Sequence, residues 1–138
     1  MNMSNSIFLF LILGICLIIG ISWRINLGKV KSKVRSSILE SELGVELGKL
    51  GTVVVFTTTF CSECRTTKAI VKDVVKDYKE VTYVEVDAES NLDLVRRVDI
   101  RSTPTTIFLD SKGFEIARAK GAPKRDQLIK AIKAIKAI

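Results

Sequence analysis

Residues 52–58, TVVVFTT, form an unbroken run of β-branched and aromatic side chains, and they lead straight into FCSEC at 60–64. A strand with no polar face is buried on both sides, as in a central strand of a parallel sheet. Over residues 62–78 the apolar positions are 70, 71, 74, 75 and 78, one face of a helix. VTYVEV at 81–86 reads as a second strand. Two strands joined by a helix of that length make a right-handed, parallel βαβ unit, with the cysteine pair at its strand-to-helix turn.

The rest of the chain extends this unit. Ser90 is placed to cap a short helix carrying Leu92, Leu94, Val95 and Val98. TTIFL at 105–109 reads as a third strand, and the Asp110–Ser111–Lys112–Gly113 turn leads to the alternating FEIARA at 114–119, completing a hairpin. Beyond Gly121 and Pro123, residues 124–138 read as a last helix with Ile129, Ile132, Ile135 and Ile138 on a drifting stripe that packs on the core. The expected order is β-α-β-α-β-β-α: an α/β fold with a four-stranded mixed sheet flanked by helices.

Ahead of this domain (51–138) lie two further segments. IFLFLILGICLIIGI at 7–21 carries no charge, and the run continues to Trp23 past Ser22. We expect residues 5–23 to form an uncleaved transmembrane anchor. A cleaved signal fits less well: no Lys or Arg precedes the run, no alanine occurs before Ala69, and Ile15 is bulky for a lipoprotein site at Cys16. Trp23 suits the membrane interface. Basic residues follow the run at Arg24, Lys29, Lys31, Lys33 and Arg35, which orients residues 24–138 to the cytoplasmic side, with an extracytoplasmic domain as the alternative. Residues 24–50 form a basic linker that can lie on anionic headgroups or simply be solvated; within it 36–47 suggest a short helix weakened by Gly44 and Gly48.

The net charge of +7 gathers beside the apolar run and in the terminal KAIKAIKAI, with no aromatic-interleaved basic patch, so no nucleic-acid partner is expected. The chain has no histidine, which removes His-based triads, His general bases and His metal ligands. Its three cysteines are Cys16, inside the apolar run and expected as a small buried hydrophobe, and the pair Cys61 and Cys64.

Three roles are open to that pair. A structural zinc needs four ligands, so one pair without histidine would require a site shared across a dimer. A structural disulfide over so short a loop stabilises little. Thiol–disulfide exchange fits the position best. A cysteine at a helix N-terminus has its thiolate favoured by free backbone N–H groups and the helix dipole, which makes Cys61 the nucleophile. Cys64, one turn on, lies on the same side and can resolve the mixed disulfide.

FCSEC (60–64) after a buried strand, STPT (102–105) ahead of the hairpin and SKG (111–113) with Gly121 beyond make residues 50–134 resemble the thioredoxin family, and the whole chain resembles bacterial membrane-anchored thioredoxin-like proteins. The resemblance implies a cis peptide at Pro104, with Thr103 pairing to an extended substrate segment and Phe60 forming an apolar lip. Several positions depart from the family pattern. Phe60 stands for Trp, Ser62 and Glu63 for Gly-Pro, Val55 for a buried Asp that relays the resolving cysteine's proton, Tyr83 for its Lys neighbour, and Ala69 for a kink-forming Pro. Ser62, Glu63 and Arg65 then tune the pair: Glu63 opposes a second negative charge and Arg65 favours one. Proton relay must use water or Glu63, or be slow.

The expected function is that of a monomeric, membrane-tethered thiol–disulfide oxidoreductase acting on protein thiols and disulfides. Cys61 and Cys64 form its redox-active disulfide, and no other cofactor or metal is expected. Electrons would come from a thioredoxin-reductase-like partner or a membrane thiol carrier, as the resemblance implies. The alternative is a redox-sensitive binding module with little turnover.

Overall fold

The computed structural model describes the backbone of residues 3–26, 30–32 and 36–136, and side chains at 8, 10–22 and 36–135. The elements are α1 (Met3–Asn26), β1 (Val30–Ser32), α2 (Glu40–Leu43), β2 (Gly51–Thr57), α3 (Ser62–Val75), β3 (Val81–Asp87), α4 (Leu92–Arg97), β4 (Thr105–Asp110), β5 (Glu115–Lys120) and α5 (Arg125–Lys136). The expected α/β order is present from β2 onward.

One mixed sheet runs in the order β1-β5-β4-β2-β3. β2 lies parallel to β3 and antiparallel to β4, and β4 and β5 form the hairpin. A short fifth strand not foreseen in the sequence, β1, pairs antiparallel with β5 at the far edge (Val30 opposite Ala119). It arises inside the stretch expected as a basic linker, where alternating KVKS leaves no helical periodicity.

β2 is buried at every position, because successive side chains enter different layers. Val53 and Val55 join Val71, Val74, Phe108, Leu128 and Ile132 beneath α3 and α5. Val54 and Phe56 join Ile38, Val84, Val86, Leu94 and Ile107 on the opposite face. On α5 the buried positions are Leu128, Ala131, Ile132 and Ile135. Ile129 is only partly buried, because a three-residue repeat falls behind the helical turn, and Ile138 lies outside the described residues.

Residues 36–47, within the linker stretch, pack on the sheet. Ile38 is buried and its N–H donates to the Gly113 carbonyl at 2.8 Å. The helix there is a single turn, with Glu42 accepting from the Leu39 N–H and Gly44 ending it at φ 67°. A second correction concerns α4. Asn91 occupies its N-cap position, and the Ser90 hydroxyl instead donates to Asp87 Oδ2 at 2.6 Å.

α1 is helical through the apolar run, and Phe8, Phe10, Leu11 and Ile12 are all more than half exposed. Cys16, expected buried, is exposed on it, since α1 leaves its described large apolar side chains uncovered. Among the described residues no helix is long and apolar enough to cross a membrane. Side chains of the expected 5–23 span are described at Phe8 and 10–22, and Trp23, Arg24 and residues 27–29 and 33–35 lie outside the described side chains.

Candidate active site

The cysteine pair sits where β2 ends and α3 begins. Cys61 is the N-cap of α3 in extended conformation and Cys64 lies in the first turn. The two are joined as a disulfide, with Cα atoms 5.2 Å apart. The backbone N–H of Cys64 donates to Cys61 Sγ at 3.1 Å, so this sulfur takes the capping place that an oxygen usually fills. The two sulfurs differ in access: Cys61 is partly exposed, whereas Cys64 is only 1% exposed. A partner sulfur can reach the first and not the second. When the pair is reduced, the same N–H and the helix dipole favour the Cys61 thiolate, while burial works against one on Cys64.

Phe60 stands fully in solvent, 98% exposed, directly before Cys61. Ser62, Glu63 and Arg65 are exposed on the first turn of α3, and among the described residues Glu63 and Arg65 make no ion pair.

The Thr103–Pro104 peptide is cis, with Pro104 buried and Thr103 half-buried. This loop is held on both sides. The Thr105 hydroxyl donates to the Ser102 carbonyl at 2.7 Å, and the Gly121 N–H donates to the Pro104 carbonyl at 2.8 Å. The Thr58 and Thr103 hydroxyls hydrogen-bond at 3.2 Å, tying the loop ahead of the cysteines to the proline loop. Next along, Thr59 donates through its hydroxyl to Glu89 Oε2 at 3.0 Å. Glu89 belongs to a loop organised by Asp87, whose Oδ1 accepts from the Glu89 N–H at 3.0 Å. The Ser90 hydroxyl, and then the Glu89 N–H, hold the Asp87 carboxyl below the usual carboxylate range.

Three threonines and a glutamate thus fix Phe60 and Cys61, and the sequence reading had singled out only Thr103 among them. A weak signal was available. TTTF places three hydroxyls where the buried strand surfaces, and hydroxyl side chains there serve loop geometry.

Two of the departure positions, Val55 and Tyr83, lie on the same face of the β2–β3 pair. Val55 is fully buried. Directly across from it in the parallel ladder is Glu85, and Tyr83 faces Val53. Glu85 Oε1 accepts from Lys68 Nζ at 2.6 Å and from the Thr57 hydroxyl at 3.4 Å. Lys72 Nζ lies 5.3 Å from the centre of the Tyr83 ring. Burial, followed by the Glu85 carboxylate, pushes the Tyr83 phenol above its ordinary range. Neither Glu85 nor Lys68 was singled out in the sequence; the alternation of 83, 85 and 87 was the clue that they share a face. Among the described residues no cluster of three or more metal-ligating side chains occurs.

Comparison with known proteins agrees with this geometry. The family profile "Thioredoxin" matches residues 39–134. Thioredoxin H-type 1 of Nicotiana tabacum is 32% identical over 83 residues, covering 60% of this chain and 64% of the relative. The thioredoxin of Mycoplasmoides gallisepticum is 31% identical over 74 residues, covering 54% and 74%. The chain spans only 56%, 64% and 61% of the length of three plant thioredoxins it matches. Among solved structures, spinach chloroplast thioredoxin F superposes with a TM-score of 0.58 at 26% identity, covering 64% of this chain and 73% of that one. Thioredoxin-2, a component of the malaria parasite's protein secretion machinery, gives 0.55 at 28% identity, covering 60% and 81%. With the profile spanning well over half of the chain and ending within α5, the protein belongs to the thioredoxin family.

Proposed function

We propose that the protein is a membrane-tethered thiol–disulfide oxidoreductase that exchanges disulfides with protein substrates through Cys61 and Cys64. The observation that carries the reading is the asymmetry of the pair: an accessible sulfur receiving a backbone N–H at a helix N-terminus, and a buried one a turn behind it. Cys61 thiolate attacks a substrate disulfide, forming the mixed disulfide and releasing one substrate thiolate. Cys64 then attacks Cys61 Sγ, the substrate's second sulfur leaves as thiolate, and the pair has lost to the substrate the two electrons that reduce its disulfide. Thr103 presents its backbone to an extended substrate segment beside Pro104, in the manner of strand addition, and Phe60 supplies an apolar contact. Ser62, Glu63 and Arg65 tune the first turn. Oxidised protein is recycled by a thioredoxin-reductase-like partner or a membrane thiol carrier.

The uncharged run at 7–21 and the exposed apolar face of α1 support an anchor at residues 5–23. The basic residues from Arg24 to Arg35 support a domain on the cytoplasmic side. A reporter fused after Ile138 and active on one side only tests the orientation. For the chemistry, full-length protein in detergent is expected to accelerate insulin reduction by dithiothreitol, and Cys64→Ser to capture mixed-disulfide partners. Equal rates for wild type and Cys61→Ser would refute the reading. A binding module with little turnover is the second reading, favoured by one observation: the position where the resemblance implies a buried acid is the fully buried, apolar Val55.

A further inference from the structure

Resolution of the mixed disulfide requires Cys64 to lose its proton. Cys64 is buried, and burial holds a thiol protonated. Efficient exchange therefore needs a proton acceptor near its face of α3. Val55, fully buried on β2, offers none. Glu63 projects into solvent from the first turn.

Glu85 is exposed as well, but it is tied to the fold by two side-chain partners. It lies across from Val55 in the β2–β3 ladder, so its side chain leaves β3 on the same face of the sheet, beneath α3. One of its oxygens is met from two further elements. Lys68, one helical turn beyond Cys64, donates at 2.6 Å, and Thr57, the nearly buried last residue of β2, donates at 3.4 Å. The end of β2, the start of α3 and the edge of β3 thus converge on one carboxylate. Two fully buried hydroxyls without a hydrogen-bond partner, Thr67 on α3 and Thr106 opposite Val55 on β4, mark the same layer as polar. The other charged or titratable groups on this face are Lys72 and Tyr83, which stack together, and Asp87, which is taken up by Ser90 and the Glu89 N–H.

We propose that Glu85, held by Lys68 and Thr57, receives the Cys64 proton during resolution, with Thr57 and solvent at the α3–β3 seam as carriers. The inference rests on the exchange chemistry proposed above. In the step, the Cys64 S–H bond breaks and its proton passes to the Glu85 carboxylate. The Cys64 sulfur bonds Cys61, the bond between Cys61 and the substrate sulfur breaks, and that sulfur leaves with the electron pair. It regains a proton from solvent or from Glu85. Glu85 reaches the proton only through these carriers, so it acts as the proton acceptor without touching either reacting sulfur.

The test uses full-length protein in detergent with Cys16→Ser, reduced and then mixed with the chromogenic disulfide dithiobis(nitrobenzoate). The first thionitrobenzoate released reports attack by Cys61, and the second reports resolution by Cys64. Glu85→Gln is expected to leave the first release unchanged and to slow the second by about 10²-fold at pH 7, the low end for a positioned proton acceptor. The two proteins should converge at high pH, where hydroxide removes the proton. Overlapping pH profiles for the second release, or a Glu85→Gln profile lowered by one factor at every pH, would overturn the assignment. Because both releases are internal to the protein and probe, a failure of insulin reduction sinks the wider function without affecting this readout.

Discussion

Placing an aspartate at Val55 puts a carboxyl into the buried layer that β2 shares with α3 and α5, and the structure sets the size of the effect. Val55 is 0% exposed, so losing its apolar contacts costs about 1.5 kcal/mol at any pH. The pH-dependent part comes from the carboxyl. Full burial raises a carboxyl pKa by about 3 units or more, and the Thr67 and Thr106 hydroxyls are available to moderate this. Because the folded pKa lies above the unfolded one, the unfolded chain loses its proton first as pH rises. Stability then falls by about 1.4 kcal/mol per pH unit from pH ~4 until the folded pKa is reached. A shift of ~3 units adds about 4 kcal/mol of destabilisation at pH 8 over that at pH 4. Urea unfolding of Val55→Asp and wild type at pH 4, 5.5, 7 and 8, with the pair oxidised so that neither thiol titrates, measures the difference directly. A difference that stays flat over this range would mean that water or the hydroxyls fully compensate the carboxyl, and would refute the reasoning that burial at Val55 controls its titration.

Three other outcomes follow from particular contacts. Glu115 and Arg118 form a buried pair at 2.7 Å, with Arg118 also bonded to the carbonyls of Val98 and Asp99; Glu115→Ala should cost about 3–5 kcal/mol in urea unfolding, and Glu115→Leu with Arg118→Met much less. Phe60→Ala should change stability by less than about 0.5 kcal/mol, since the ring is 98% exposed, while raising KM for insulin. Asp73, Asp87 and Asp99 are held below their ordinary range chiefly by Arg125, Ser90 and Arg101; the stability they confer is complete above the unfolded carboxylate pKa and should be lost as pH falls below about 4 in acid titration followed by circular dichroism.

What could be read in the sequence was what periodicity and motif spacing encode. The unbroken β-branched run specified a strand buried on both faces, and two layers duly divide Val53 and Val55 from Val54 and Phe56. The place of the cysteines followed from the same run. Short segments held by tertiary contacts were not legible. Residues 36–38 owe their position to Ser36 Oγ on Glu115 and to the Ser37 carbonyl accepting from Arg97, partners 79 and 60 residues away. No local pattern announces such bonds. Ser90 was misread as a cap because Asp87, three residues before it, competes for its hydroxyl. Glu85 went unnoticed for a related reason: an acid in an edge strand looks merely solvated until the helix residue above it is known.

The site's construction explains how an exposed Phe60 and a fixed Cys61 coexist. Phe60 buries almost nothing, so packing cannot hold the segment that carries it. Position comes instead from side-chain hydrogen bonds on either hand, Thr58 to the proline loop and Thr59 to Glu89, together with the capping bond at Cys61. Each such bond contributes about 1 kcal/mol, little against the core yet enough to bias one loop conformation severalfold. The apolar area that would otherwise be spent on fixing the loop is left free at Phe60 for a partner to cover. In a chain without the usual indole, the threonines of TTTF therefore carry the geometry and the phenylalanine remains available for contact.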